Sequence, residues 1–157
     1  DRPEATEGYE GFSHLCAMQG EVELATLEYI IRDHDRASFE ARKALFESAA
    51  AFLNAKYGAG TVEVALRDSY YNMREKIEPH MAIVEAAQQA MRDAGVTPRV
   101  VPIRGGTDGA RLSYEGLPCP NLFTGGENYH GRFEYVPVED MEAAVRTLKC
   151  ILRNAAK

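Results

Sequence analysis

The sequence predicts an α/β protein. Three observations carry that prediction: two alternating stretches near the N-terminus, three helix-like segments with clear end signals, and short apolar runs that end in glycine-rich loops. Residues 1–10 are polar with Pro and Gly, and read as an arm or loop. Two β-like stretches follow, 11–22 and 24–33, joined near the turn residue Gly20. In the second, Leu27, Tyr29 and Ile31 fall on one face while Glu28, Ile30 and Arg32 fall on the other. A long helix is predicted over 36–57. Phe39, Phe46 and Leu53 recur at heptad spacing, Asp35 can cap the start, and Gly58 suits the stop. A third strand is predicted over 61–72, with Val62, Val64 and Leu66 on its inner side.

After residue 75 the pattern changes. Pro79 fits the first turn of a helix through residue 94, with an apolar stripe of Ile83, Val84, Ala87 and Met91 that ends at Gly95. A short apolar strand over 99–103 runs into Gly105-Gly106-Thr107-Asp108-Gly109, where a new helix begins. A connector, Leu117-Pro118-Cys119-Pro120, leads to a strand over 121–124, a loop over 125–131 and a strand over 132–136. The last helix, 139–156, carries Met141, Val145, Leu148 and Leu152 on one side. Strands alternating with helices imply a parallel or mixed layer. The expected organisation is a small α+β part over 1–75 and a second α/β part over 76–157.

Composition narrows the function. Of the 157 residues, 45% are hydrophobic and 27% charged, as in an ordinary soluble globular protein. A net charge of −6 with no basic stretch argues against nucleic acid as a partner. No apolar run approaches the roughly 20 residues of a membrane span, and the N-terminus lacks a secretory pattern. Cys16, Cys119 and Cys150 are odd in number and widely spaced, which suits free thiols in the cytoplasm rather than a disulfide framework.

Four features can carry chemistry. The turn Ile103–Gly109 exposes backbone N–H groups beside Arg104, an arrangement that binds a carboxylate or phosphate; it is equally a tight strand-to-helix turn with a surface Arg. His130 sits in Thr124-Gly125-Gly126-Glu127-Asn128-Tyr129-His130-Gly131, where a neutral imidazole can ligate a metal or shuttle protons, or be a simple hydrogen-bonded surface His. Arg32 is either the polar side of a sheet or a reach toward a substrate carboxylate. The run Asp68-Ser69-Tyr70-Tyr71-Asn72-Met73-Arg74 offers polar and aromatic tips to the same cleft, or packs its two tyrosines. His14, His34 and His80 read as structural or solvated. No His-x-His, His-x-x-x-His or Cys-x-x-Cys spacing occurs, so no self-sufficient zinc site is legible. Ser69 and Ser113 lack a nucleophile context.

Long runs also carry a resemblance. Pro102-Ile103-Arg104-Gly105-Gly106-Thr107-Asp108-Gly109, Leu117 through Gly126, and Asn128-Tyr129-His130-Gly131 resemble the C-terminal signature of the peptidase T family of bacterial tripeptide aminopeptidases. Thr6 through Phe12, Tyr29-Ile30-Ile31-Arg32-Asp33 and Asp68 through Lys76 resemble the same family, in the same order. The resemblance implies the later part of a lid domain over 1–75 and the last part of a di-zinc catalytic domain over 76–157. It implies that His130 ligates one of two zinc ions, that Arg32 and Arg104 bind the substrate carboxylate, and that Asn72 and Asn128 line the cleft. Glu127 departs from the aromatic residue expected before that Asn. The family's His-x-Asp pair, bridging Asp and Glu-Glu general base are absent, so the resemblance implies that this portion alone is inactive. Its expected partners are a tripeptide, and either a second copy or the missing N-terminal part. Two other classes compete: a non-enzymatic association module, and part of a related di-zinc carboxypeptidase or deacylase.

Overall fold

The computed structural model describes residues 1–156, and they divide into two compact units. The first comprises Asp1–Asn72 and Val101–Gly106; the second comprises Met73–Val100 and residues 107–156.

The first unit is built on an antiparallel hairpin, β1 (Phe12–Gly20) with β2 (Ala25–Arg32), and on helix α1 (Arg36–Tyr57). The register pairs Phe12 with Arg32 and Gly20 with Ala25, with an irregularity between Leu15 and Ala17 that leaves Cys16 outside the pairing. The two strands and α1 lie where the sequence places them. Asp35 caps α1 by accepting a 2.7 Å hydrogen bond from the Ser38 backbone N–H, and Gly58 follows its end. That bond holds the Asp35 carboxyl below its ordinary range. The inner face of α1 carries Phe39, Phe46, Ala50 and Leu53, and Phe46 meets Tyr29 of β2 edge-on at 5.0 Å.

The predicted third strand over 61–72 does not form, and the predicted inner residues Val64 and Leu66 are exposed. A strand needs a neighbour for its backbone groups. This segment instead lies along α1 and is held by side chains. The Asn54 amide bonds both backbone groups of Val62, at 2.8 and 2.9 Å. Lys43 Nζ donates to Asp68 at 3.0 Å, Tyr71 donates to the same carboxylate at 2.6 Å, and Arg36 stacks 3.7 Å from the Tyr71 ring centre.

This cluster sets a pH dependence. Tyr71 and then Lys43 hold the Asp68 carboxyl below its ordinary 3.8. Asp68 in turn raises Tyr71 above 10.0, while Glu40 and Asp68 raise Lys43 above 10.5. The lowered carboxyl stabilises the fold above its ordinary value, and that contribution is lost as pH falls below it. The raised phenol and ammonium stabilise at lower pH and lose their contribution as pH climbs past 10. The contribution of this cluster to the urea midpoint should therefore be complete between about pH 4 and pH 10 and fall away outside that window, and Asp68→Asn should shrink both limbs. A midpoint with the same limbs in the variant would refute the assignment.

The second unit is helical: α2 (Arg74–Ile77), α3 (Met81–Asp93), α4 (Asp108–Tyr114) and α5 (Val138–Ala155), with a 3-10 turn at Glu78–His80 between α2 and α3. Helix α3 packs against α5, and α2 against α4. The Ser113 hydroxyl, almost fully buried, donates to the Gly109 carbonyl at 2.7 Å and accepts the Cys119 N–H at 3.0 Å; it is a structural brace. The expected strands over 99–103, 121–124 and 132–136 do not form. Among the described residues only an isolated bridge, Glu127 with Tyr135, is paired there. No adjacent segment among the described residues completes a ladder for these runs.

One orientation differs from the sequence reading. The stripe Met141, Val145, Leu148 and Leu152 of α5 faces outward, with exposures of 43–71%. The inner face is instead made mostly of small or polar residues, Ala143, Ala144, Thr147, Cys150 and Asn154, with Ile151 as its one large apolar member. Thr147 and Ala90 of α3 are the least exposed residues of the pair, and Asn154 donates to Asp93 at 3.0 Å. Small side chains let two helices approach closely.

Candidate functional site

In the first unit, the end of β2 and the segment Val101–Gly106 bring Arg32 and Arg104 together. Arg32 Nη1 donates to the Tyr70 hydroxyl oxygen at 2.7 Å and to the Arg104 carbonyl at 3.2 Å. Arg104 turns its guanidinium to the N-terminal arm. Nη1 donates to the Thr6 carbonyl at 2.7 Å, Nη2 donates to the Thr6 hydroxyl, and the guanidinium carbon lies 5.0 Å from the Phe12 ring centre. Phe12 is also the ladder partner of Arg32, so this one residue at the hairpin end neighbours both arginines. Arg104 Nε is buried without a hydrogen bond among the described residues.

His34 closes the same cluster. Its Nδ1 lies 3.2 Å from the Tyr9 carbonyl and its Nε2 lies 3.2 Å from the Ile103 carbonyl, while Asn72 donates its amide to the His34 carbonyl at 3.2 Å. Asp33 is held by Arg42 at 2.9 Å. The arm, the strand end and the returning segment thus converge on two arginines; Arg32 keeps Nε and Nη2 without protein acceptors among the described residues and not buried, whereas the one such nitrogen of Arg104, Nε, is buried. Sequence reasoning named Arg32, Arg104 and Asn72. It gave Thr6 no role of its own beyond its place in the run Thr6 through Phe12, read His34 as structural or solvated, and left Tyr70 between lining the cleft and packing.

In the second unit, the loop after residue 124 presents His130. Glu127 and Tyr135 close its base through two backbone hydrogen bonds of 2.9 and 3.2 Å, and Gly131 N–H returns to the Asn128 carbonyl at 2.9 Å. Asn128 (φ 54°) and His130 (φ 62°) both adopt the left-handed conformation, which Asn and His tolerate better than most residues. The Asn128 amide donates to the Phe133 carbonyl at 3.4 Å, and Glu134 accepts the His130 backbone N–H at 3.3 Å. The imidazole itself is exposed at the loop tip. Among the described residues, no three of His, Cys, Asp or Glu are grouped to hold a metal ion. The donor set of this chain therefore does not make a zinc centre by itself. The Gly-rich turn is followed by α4, only seven residues long, and Thr107 makes no side-chain cap there.

The chain belongs to peptidase family M20/M25/M40, whose model matches residues 7–154. Within that family it is similar to proteins called Peptidase T. It is 56% identical to that of Exiguobacterium sibiricum and 60% identical to that of Shouchella clausii, in each case over all of this chain and 38% of the relative. The aminopeptidase PepT from Bacillus cereus shares the fold, with a TM-score of 0.60 at 22% identity, over 94% of this chain and 40% of that one. The chain thus spans 38% of the length of the curated relatives it matches. No helix among the described residues is long and apolar enough to cross a membrane.

Proposed function

We propose that this chain serves as the C-terminal portion of a cytoplasmic, zinc-dependent aminopeptidase that releases the N-terminal residue from tripeptides. The observation that carries this reading is similarity to Peptidase T proteins along essentially the whole chain, at 54–60% identity. The chain's own residues have limited roles in it. Arg32 meets the substrate's C-terminal carboxylate. Arg104, held by Thr6, adds positive charge beside it and ties the arm in place. Asn72 and Asn128 line the cleft, and His130 supplies one ligand of a two-zinc centre. The remaining ligands and the general base belong to the rest of the polypeptide, and when bound the zinc lowers the pKa of a water for attack on the peptide bond. We assign residues 1–75 to the later part of a lid and 76–157 to the end of the catalytic domain.

The expected result is that the chain alone, given zinc, hydrolyses no tripeptide above background. Robust turnover would sink the reading. A second reading, an association module, is favoured by the outward stripe of α5 and the unpaired extended segments, which suit docking with the N-terminal part or with a second copy. A clean monomer in sedimentation at micromolar concentration, unchanged on adding the separately produced N-terminal part, would count against it.

A further inference from the structure

Arg32 is held in an asymmetric way. Nη1 carries two hydrogens, and two acceptors lie within reach of it: the Tyr70 hydroxyl oxygen at 2.7 Å and the Arg104 carbonyl at 3.2 Å. They come from different segments, 61–72 and 101–106, so the guanidinium plane is fixed from two sides. Nε and Nη2 make no hydrogen bond among the described residues, and neither is a buried orphan. Those two nitrogens form the edge that grips a carboxylate with parallel hydrogen bonds. Arg104 offers no such edge, since its Nη1 and Nη2 are turned to Thr6 and its Nε is buried.

Tyr70 reaches its place because residue 106 is glycine. A Cβ added there would lie 2.2 Å from the Tyr70 ring carbon Cζ and 2.3 Å from the hydroxyl oxygen. The phenol therefore lies directly on bare backbone, a contact that every larger residue would block.

We propose that Tyr70 is a positioning residue for peptide-carboxylate recognition: its phenol oxygen and the Arg104 carbonyl engage Arg32 Nη1, setting the Nε–Nη2 edge for the C-terminal carboxylate of a short peptide. This rests on reading Arg32 as a carboxylate binder. A misplaced guanidinium keeps its charge but loses the two-point geometry, so the effect falls on free acids and spares neutral ends.

The test is an NMR titration of this chain, ¹⁵N-labelled, with trialanine and with trialanine amide. The wild-type chain should take the free acid about tenfold more tightly than the amide, the size expected of a charge-assisted pair. Tyr70→Phe keeps the ring on Gly106 and removes only the oxygen; it should weaken acid binding about threefold to tenfold and leave the amide unchanged. Gly106→Ala displaces the ring and leaves the phenol chemically intact, and should lose the same discrimination. If either folded variant keeps the wild-type acid-to-amide ratio, the positioning role is overturned while Arg32 can still bind. If the wild-type chain takes acid and amide alike, the carboxylate reading itself fails, and this role fails with it.

Discussion

Gly125→Ala is expected to destabilise the second unit by about 2–5 kcal/mol and to unseat the loop that carries His130. Two costs add. Gly125 has φ 80°, where a side chain strains the backbone. Its new Cβ would also stand 2.2 Å from the Asp140 Cβ and 3.3 Å from the Asp140 Cα, in the first turn of α5. The second neighbour is backbone of a long helix, so no rotamer change relieves it. Set against the roughly 5–15 kcal/mol that holds a typical domain, this is a large fraction. Urea denaturation followed by helical signal measures it. A midpoint equal to wild type would mean that the loop does not abut α5 as described.

His130→Asn is the converse case, with a small effect on folding and a large one on function. The imidazole is exposed and makes no hydrogen bond among the described residues, and Asn tolerates the left-handed φ of 62°. Stability should stay within about 0.5 kcal/mol of wild type. In a polypeptide of Peptidase T length carrying this sequence, zinc content and tripeptide turnover should fall together, by about a hundredfold or more. Changes to residues that merely support a metal ligand already cost 10–100-fold, as a rough guide. Metal analysis beside a tripeptidase assay decides it; unchanged zinc with unchanged turnover would remove His130 from the centre.

What could be read from the residues follows from where each element finds its hydrogen bonds. Helix α1 was legible to its ends because its partners are local: Asp35 serves Ser38, Gly58 follows the last turn, and Phe39, Phe46 and Leu53 mark one face. The hairpin was legible for the same reason. The extended runs were not, since Val62, Val100 and Leu122 have strand-like surroundings whatever lies beside them, and pairing depends on a neighbour the pattern does not name. The outward face of α5 was misread because apolar spacing alone does not say which stripe meets α3, where Ala143, Ala144 and Thr147 allow the closer approach. At the candidate site, Arg32 and Arg104 stood out by motif. Thr6 and Tyr70 emerge only once residues 98 and 38 positions apart from their arginines are brought together.

The outer side of α5 has a practical meaning for handling this molecule. Val138, Met141, Val145, Leu148 and Leu152 repeat at three- and four-residue steps, all at least two-fifths exposed, beside a shallow groove bordered by Leu122 and Phe123. Such a strip makes colloidal behaviour respond to solvent additives rather than to net charge alone. Sulfate and phosphate, excluded from protein surfaces, raise the penalty for leaving it wet, whereas dilute urea lowers that penalty. Storage in low sulfate, with a mild solubilising additive, is the condition its chemistry favours.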